Sequence, residues 1–507
     1  MDDERGLPTV WVWGDQLDRR LAHLRDRDPA STRVLMVVSD RKLTERPWHR
    51  QKAHLVITAM RRFAADLAAE GFAVDLRRAP SMRAGLAAHV DAHDPSEVVA
   101  MEPASLPGTR ELERLGVTLV DNDHFLCHWR EFAAFRAGRR RTTMEDFYRW
   151  RRETTGWLME DGAPVGGRFN LDADNRRPPD ADLAPTAAAD PPVVDAPDAL
   201  DASLGDWLPD DVDLRGAPPD GTWATSRAGA LARLERFTTR VLPRFGDHQD
   251  AMVTGAWHLN HSLLSHALNL GLLHPREVIE AVIDVYTAGR APLNAVEGFV
   301  RQVLGWREFL WGVARTADAG YPQRNALAAD APLPPAFAGT SGTRMRCVED
   351  TLRSVHEHAY AHHIQRLMVL ANLATLAGVR PDALTDWMHG TFIDAYDWVM
   401  VPNVIGMGTF ADGGEVATKP YVSGGAYIDR MSLDACRPCH YDRTKRTGAD
   451  ACPFTTLYWD FLDRNRAALA SNHRIGRAYA TLDRLTDLDE VRARAREVRT
   501  MLADGTL

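Results

Sequence analysis

Five short apolar runs, at residues 10–13, 34–39, 73–76, 98–101 and 117–120, each end in polar or turn-forming residues. Runs of this length suit strands better than helices. Between the second and third, AHLVITAMRRFAADLAAEG (53–71) carries apolar positions at helical spacing and stops at Gly71, a good helix-ending residue. Apolar strands separated by helices predict a parallel sheet covered on both faces. No GxGxxG follows the first strand, where the turn is Gly14-Asp15-Gln16-Leu17. A nicotinamide-binding fingerprint is therefore unsupported.

Further along, the pattern changes twice. Residues 172–221 are rich in Asp, Pro and Ala, show little periodicity, and read as a partly mobile connector over the surface. From Thr222 onward strand signals nearly vanish, and residues 230–245, 298–314 and 345–378 read as helices. The chain exceeds what one core usually organises. The expected fold is an α/β N-terminal domain with a Rossmann-like parallel sheet (1–135), an interdomain connector (136–221) and a large all-α domain (222–507).

Composition changes this picture little. A net charge of −9 counts mildly against nucleic-acid binding, which needs clustered Lys and Arg. Much of that acid lies in residues 172–220, and a local basic patch remains compatible with it. The N-terminal MDDERGLPTVWVWG lacks the features of a secretory signal, and no apolar run approaches the roughly 18–20 residues of a membrane helix. The expectation is a soluble cytoplasmic monomer.

Five cysteines in such a chain point to metal or redox chemistry rather than a disulfide scaffold. Cys436 and Cys439 stand three positions apart, a spacing that lets both grip one centre. Cys452 follows and precedes Pro453, and Cys347 would close the set from a distant helix. Zinc and iron–sulfur fit this pattern equally well. Cys127, alone in HFLCHW, reads as core. His358 and His362 stand at i and i+4, but without the glutamate of HExxH zinc-protease chemistry is unsupported.

Several strings occur together in order: FGDHQDAM (245–252), HSLLSHALNLGLL (261–273), PLNAVEGFVRQVLGWREF (292–309), AHHIQRLM (361–368), DAYDWVMVPNVIGMGTFADGG (394–414), TKPYVSGGAYIDRM (418–431) and CPFTTLYWDFL (452–462). On these the chain resembles the prokaryotic iron–sulfur (6-4) photolyases and their cryptochrome relatives. The resemblance implies a [4Fe-4S] cluster on Cys347, Cys436, Cys439 and Cys452, and FAD in the helical domain. It places Ser262, Leu263, Ser265, Asn269, Arg307, Asp394, Asp397 and Asn403 around that FAD, with Asp397 and Asn403 facing the isoalloxazine. Trp387 matches an aromatic on the electron path. The partner implied is UV-damaged DNA. His363 is the expected proton donor, with His362 beside it, Glu308 touching the lesion, and Tyr421 and Tyr427 near lesion or flavin. Histidine suits this step because both its protonation states are accessible near neutrality.

The chain also departs from the family pattern. Met388 stands where relatives carry Tyr, Met407 where other photolyases place a Trp, and FAGTSGTRMRC (337–347) lacks a Trp before the cysteine. Methionine is a poor electron-hopping station, so weak or rerouted photoreduction is expected. Relatives bind a 6,7-dimethyl-8-ribityllumazine antenna near the motif matching Gly14-Asp15-Gln16-Leu17. Here Arg41 and Lys42 follow the second strand, so either an occupied antenna site or a refilled one fits. The functions that compete on this scaffold are light-driven (6-4) repair, blue-light sensing, and light-independent flavin/iron–sulfur redox chemistry.

Overall fold

The computed structural model describes residues 6–507. Five strands form one sheet: β1 (Thr9–Val12), β2 (Arg33–Ser39), β3 (Ala73–Ala79), β4 (Val98–Met101) and β5 (Thr118–Val120). Their spatial order is β3-β2-β1-β4-β5 and every pairing is parallel. The period of two along the strands divides the core. Val10, Val12, Val34 and Met36 pack with Leu55, Met60 and Leu67 of the helix Arg50–Ala69. The alternate residues Trp11, Leu35 and Val37 pack on the opposite face with Leu86 and Leu112 of two further helices.

The larger remainder is helical, and the first of these two cores continues into it. Val10, Val34 and Leu55 belong to the same apolar cluster as Phe237, Leu264, Val278 and Phe299. A second cluster, from Met252 to Leu507, packs the rest of the helical part. The two parts meet closely at Gly271, which has φ +88 and whose added Cβ would lie 2.7 Å from the Leu17 nitrogen. Leu17 in turn donates its amide to the Leu270 carbonyl at 2.9 Å. Only glycine meets both demands cheaply.

Two expectations are revised. Residues 172–221 do not simply lie over the surface: Asn175, Leu183 and Ala187 are buried, and the Asn175 amide donates to the Asn294 carbonyl at 2.9 Å. The segment 345–378 is not one helix. The helix Arg346–His358 ends at Ala359, which adopts φ +53, and a π-helical stretch begins at Gln365. Alanine rarely tolerates that conformation; here Ile393 donates its amide to the Ala359 carbonyl at 2.8 Å, tying the break to another segment.

Candidate functional site

The break at Ala359 places His362 and His363 at the start of the next helical stretch. His363 is half-exposed, and its Nε2 lies 3.1 Å from the Asp250 carboxylate. His362 is 1% exposed, stacks on His261 at 4.5 Å, and has no hydrogen-bond partner for either ring nitrogen among the described residues. Burial, with His261 and His363 beside it, holds its pKa well below the ordinary histidine value.

Behind His362 stands Arg366, which donates to Asp394 at 2.8 and 3.3 Å and covers the Phe392 ring at 4.0 Å. Asp394 is buried. Burial alone would raise its pKa, but Arg366 and the Ser265 hydroxyl hold it below the usual carboxylate value. Asn269 donates to the Asp394 carbonyl at 2.8 Å. The structure thus brings together Ser265, Asn269 and Asp394, and adds Arg366. Leu263, with φ +56, bends the chain just before them, and the Ser262 hydroxyl accepts the Leu264 amide at 3.4 Å. His266 and Tyr396, whose electrostatics couple to Asp394, carry buried ring nitrogens and a hydroxyl without partners among the described residues.

On the outer side, residues from the connector complete the wall. Asp172 pairs with Arg176 and with Arg301, the latter at 3.0 Å. Burial raises the Tyr427 hydroxyl to about 12, with Asp250 adding to it, and it raises Tyr421, with Asp172 opposed by Arg176.

Other expected site residues lie elsewhere. Glu308 is 1% exposed and accepts from Arg307 at 2.6 Å and from the Cys127 amide at 2.9 Å. It is buried in the seam between the two parts. Arg307 belongs to the same seam, its guanidinium 4.3 Å from the Phe125 ring and 5.4 Å from Trp398. Asp397 is exposed and taken up by His389 at 3.1 Å and Arg46 at 3.8 Å. Asn403 donates its amide to the Val399 carbonyl at 2.8 Å. Trp387 donates to the Phe337 carbonyl at 2.8 Å, and its ring lies 5.8 Å from Phe392, which Arg366 covers. Arg41 and Lys42 are exposed. In the nearby turn, Gln16 donates to the Met101 carbonyl at 3.3 Å, and burial pushes Asp15 up to about 6.

The four cysteines come from three segments. Cys347 lies in the first turn of the helix Arg346–His358. Cys436 and Cys439 close a turn, the Cys439 amide donating to the Cys436 carbonyl at 3.2 Å. Cys452 caps the helix Pro453–Arg464, with Pro453 at its first position. Burial raises Cys347, Cys436 and Cys452, and Cys347 and Cys436 are raised further by the other thiols of the set. Such mutually repelling, half-buried thiols match a cationic centre that would hold them deprotonated. Among the described residues, no three of these sulfurs lie mutually within 4.8 Å. Thiolates at about 2.3 Å from one tetrahedral zinc would stand about 3.8 Å apart.

A (6-4) photolyase from Agrobacterium fabrum is 40% identical over 494 residues, covering 94% of this chain and 96% of the relative. The chain belongs to the (6-4) photolyase family. Residues 10–204 also match the family model described as deoxyribodipyrimidine photo-lyase-related protein. The fold is shared with a bacterial class III photolyase from Agrobacterium tumefaciens (TM-score 0.59, 15% identity, 99% and 98% of the two chains). It is shared too with a Synechocystis cryptochrome (TM-score 0.53, 13% identity, 80% and 82%). The photolyase-like architecture and the parallel sheet agree with the sequence expectation. No helix among the described residues is long and apolar enough to cross a membrane.

Proposed function

We propose that this photolyase-family protein repairs (6-4) pyrimidine photoproducts in DNA by light-driven electron transfer from reduced FAD, and carries a [4Fe-4S] cluster on Cys347, Cys436, Cys439 and Cys452. The observation that carries the reading is one continuous path. It runs from half-exposed His363, held by Asp250, through buried His362 to the Arg366–Asp394 pair.

FAD supplies a photoexcited electron when bound and reduced. Its fit rests on the buried polar atoms of His362, His266 and Tyr396 around Asp394, since native interiors rarely leave such groups without a partner. Ser265, Asn269, Arg366 and Asp394 would hold the cofactor, with Arg366 and Asp394 keeping each other charged in a buried place.

The proton comes from His363 rather than His362. Burial disfavours the imidazolium form of His362, so it is the poorer acid of the two. His363 is open to an incoming flipped base, and Asp250 accepts from its Nε2, fixing the ring's orientation. Tyr421, Tyr427 and Arg176 line the same wall. The cluster reading rests on the family resemblance and on thiols close enough to raise one another.

The test is to illuminate the anaerobically reduced, cofactor-loaded protein with a duplex bearing one (6-4) lesion and to score restored pyrimidines by chromatography. Light-dependent restoration is expected. Its absence, with flavin and cluster both verified by absorbance, would sink the repair reading in favour of sensing or redox chemistry.

A further inference from the structure

Behind His266, aromatic rings form a line that leads outward from the pocket. Trp223 is buried and lies 5.0 Å from His266, whose unpartnered nitrogens suit FAD. Trp257 is half-buried, with its ring 6.1 Å from Trp223. Tyr360 fills the angle between the two tryptophans, at 5.6 and 5.7 Å. We propose, on the flavin reading above, that Trp257 and Trp223 carry electrons into the bound flavin from outside the protein, in place of the route through Trp387 that the family resemblance implies.

Light drives the step. One electron passes from Trp223 to the photoexcited, oxidised flavin, and one from Trp257 refills Trp223. The flavin is then reduced by one electron, and Trp257 is left as a radical cation. An external thiol returns the electron to Trp257, leaving as a thiyl radical and releasing its proton to water.

The surroundings of each ring favour this direction. Trp223 donates its Nε1 hydrogen towards the Gln51 Oε1 at 3.1 Å and the His358 carbonyl at 3.0 Å, and two acceptors favour positive charge developing on the indole. Tyr360 is the poorer carrier. Oxidising a phenol favours loss of its proton, and burial holds the Tyr360 hydroxyl above its ordinary pKa. The Arg366 guanidinium, 5.3 Å from that ring, also opposes positive charge on it. At the outer end Trp257 stacks on His358 at 4.2 Å, with 21° between the ring planes. Asp220 and Glu357 act electrostatically on His358, and the same carboxylates favour a positive charge on the stacked indole.

The route through Trp387 lacks such carriers. Among the described residues its ring meets Phe337 at 4.9 Å and Phe392 at 5.8 Å, and Phe392 is the ring that links it to Arg366. Phenylalanine is much harder to oxidise than tryptophan or tyrosine. Met388, buried beside Trp387 in the chain, and half-buried Met407 offer no aromatic ring either.

The test illuminates the cluster-loaded protein with oxidised flavin, without DNA or oxygen and with a thiol present. Loss of oxidised-flavin absorbance reads the entry of electrons, and electron paramagnetic resonance of samples frozen under light reads the tryptophan radical. Wild type should photoreduce and show the radical. Trp257→Phe, which keeps a ring stacked on His358, should lose the radical and most of the photoreduction at unchanged flavin content. Trp257→Tyr, whose ring can be oxidised, should recover part of the photoreduction, which a packing role alone would not produce. The loss in Trp257→Phe should exceed that in Trp387→Phe. Equal photoreduction in wild type and Trp257→Phe, equal losses in the Phe and Tyr variants, or a larger loss in Trp387→Phe would overturn the route. Wild-type protein that takes up no flavin, read by absorbance before illumination, would instead remove the cofactor reading and this route with it.

Discussion

The seam between the sheet domain and the helices, and the pocket around Asp394, both bury charge, but they settle it differently. In the seam the carboxylates find protein donors. Glu308 accepts from Arg307 and the Cys127 amide, Glu102 from Arg315 and Trp129, and Glu277 from Arg20 and Arg227. Around Asp394 the pair with Arg366 is complete, yet His362, His266 and Tyr396 keep polar atoms without partners among the described residues. A buried carboxylate met by several protein donors holds a fold together, whereas a cluster of buried polar atoms left over around one pocket suits a ligand. Glu308 and Asp394 sit in strings of equal family resemblance; each carboxylate is met by an arginine, and in the seam too Nε and Nη2 of Arg307 keep no partner among the described residues.

The comparison breaks most visibly at the cysteines. Cys452→Ser should abolish the cluster's visible absorbance and leave little folded protein, because binding free energy at a structural centre is folding free energy; absorbance and circular dichroism of the purified variant check this. Next, Asp394→Asn leaves Arg366 buried without its partner. A loss of about 3–5 kcal/mol is expected, with FAD lost on gel filtration. Full stability with FAD retained would place the cofactor elsewhere. Glu308→Gln sharpens the contrast from the other side. It should cost about 1–3 kcal/mol in denaturant unfolding while repair per bound flavin stays within a few-fold of wild type.

The smallest effect is expected at Glu277. Burial would raise its carboxyl, but the hydrogen bonds from Arg227 and Arg20 override it and bring it down to about 2 from the ordinary 4.5. A depressed carboxyl contributes stability that is fully present above its unfolded value and lost as pH falls through the folded one. The Tm difference between wild type and Glu277→Gln should therefore be full above pH 4.5 and shrink towards pH 2. A difference that persists at pH 2 would detach Glu277 from its two arginines.

Much of the fold was legible because each strand advertised itself as a short apolar run ending in polar or turn-forming residues. The runs read at 10–13, 34–39 and 98–101 lie within one residue of β1, β2 and β4. The helix break at Ala359 was not legible, since alanine favours continuation and the Ile393 amide that fixes the break comes from far along the chain. Asp172 and Arg176 hid in a stretch whose composition reads as connector. Arg366 and His261 were missed although both lie in the strings quoted above. An arginine within an apolar helical stretch was the available signal, because such a charge needs a buried carboxylate nearby. The pairings of Glu308, Arg307 and Asp397 were not legible for one reason. Sequence gives a charged residue's neighbours along the chain, but not which of two buried faces its side chain meets.

The central claim is that the Arg366–Asp394 pocket and His363 serve one reaction in two steps, electron then proton. Time-resolved fluorescence of the reduced flavin, with and without a (6-4) duplex, in wild type and His363→Ala, separates those steps when paired with chromatographic scoring. Both proteins should show lesion-dependent quenching, while restoration falls by about 10²–10⁴-fold in the variant. An unquenched flavin in wild type at saturating lesion duplex, or undiminished restoration in His363→Ala, would contradict the account.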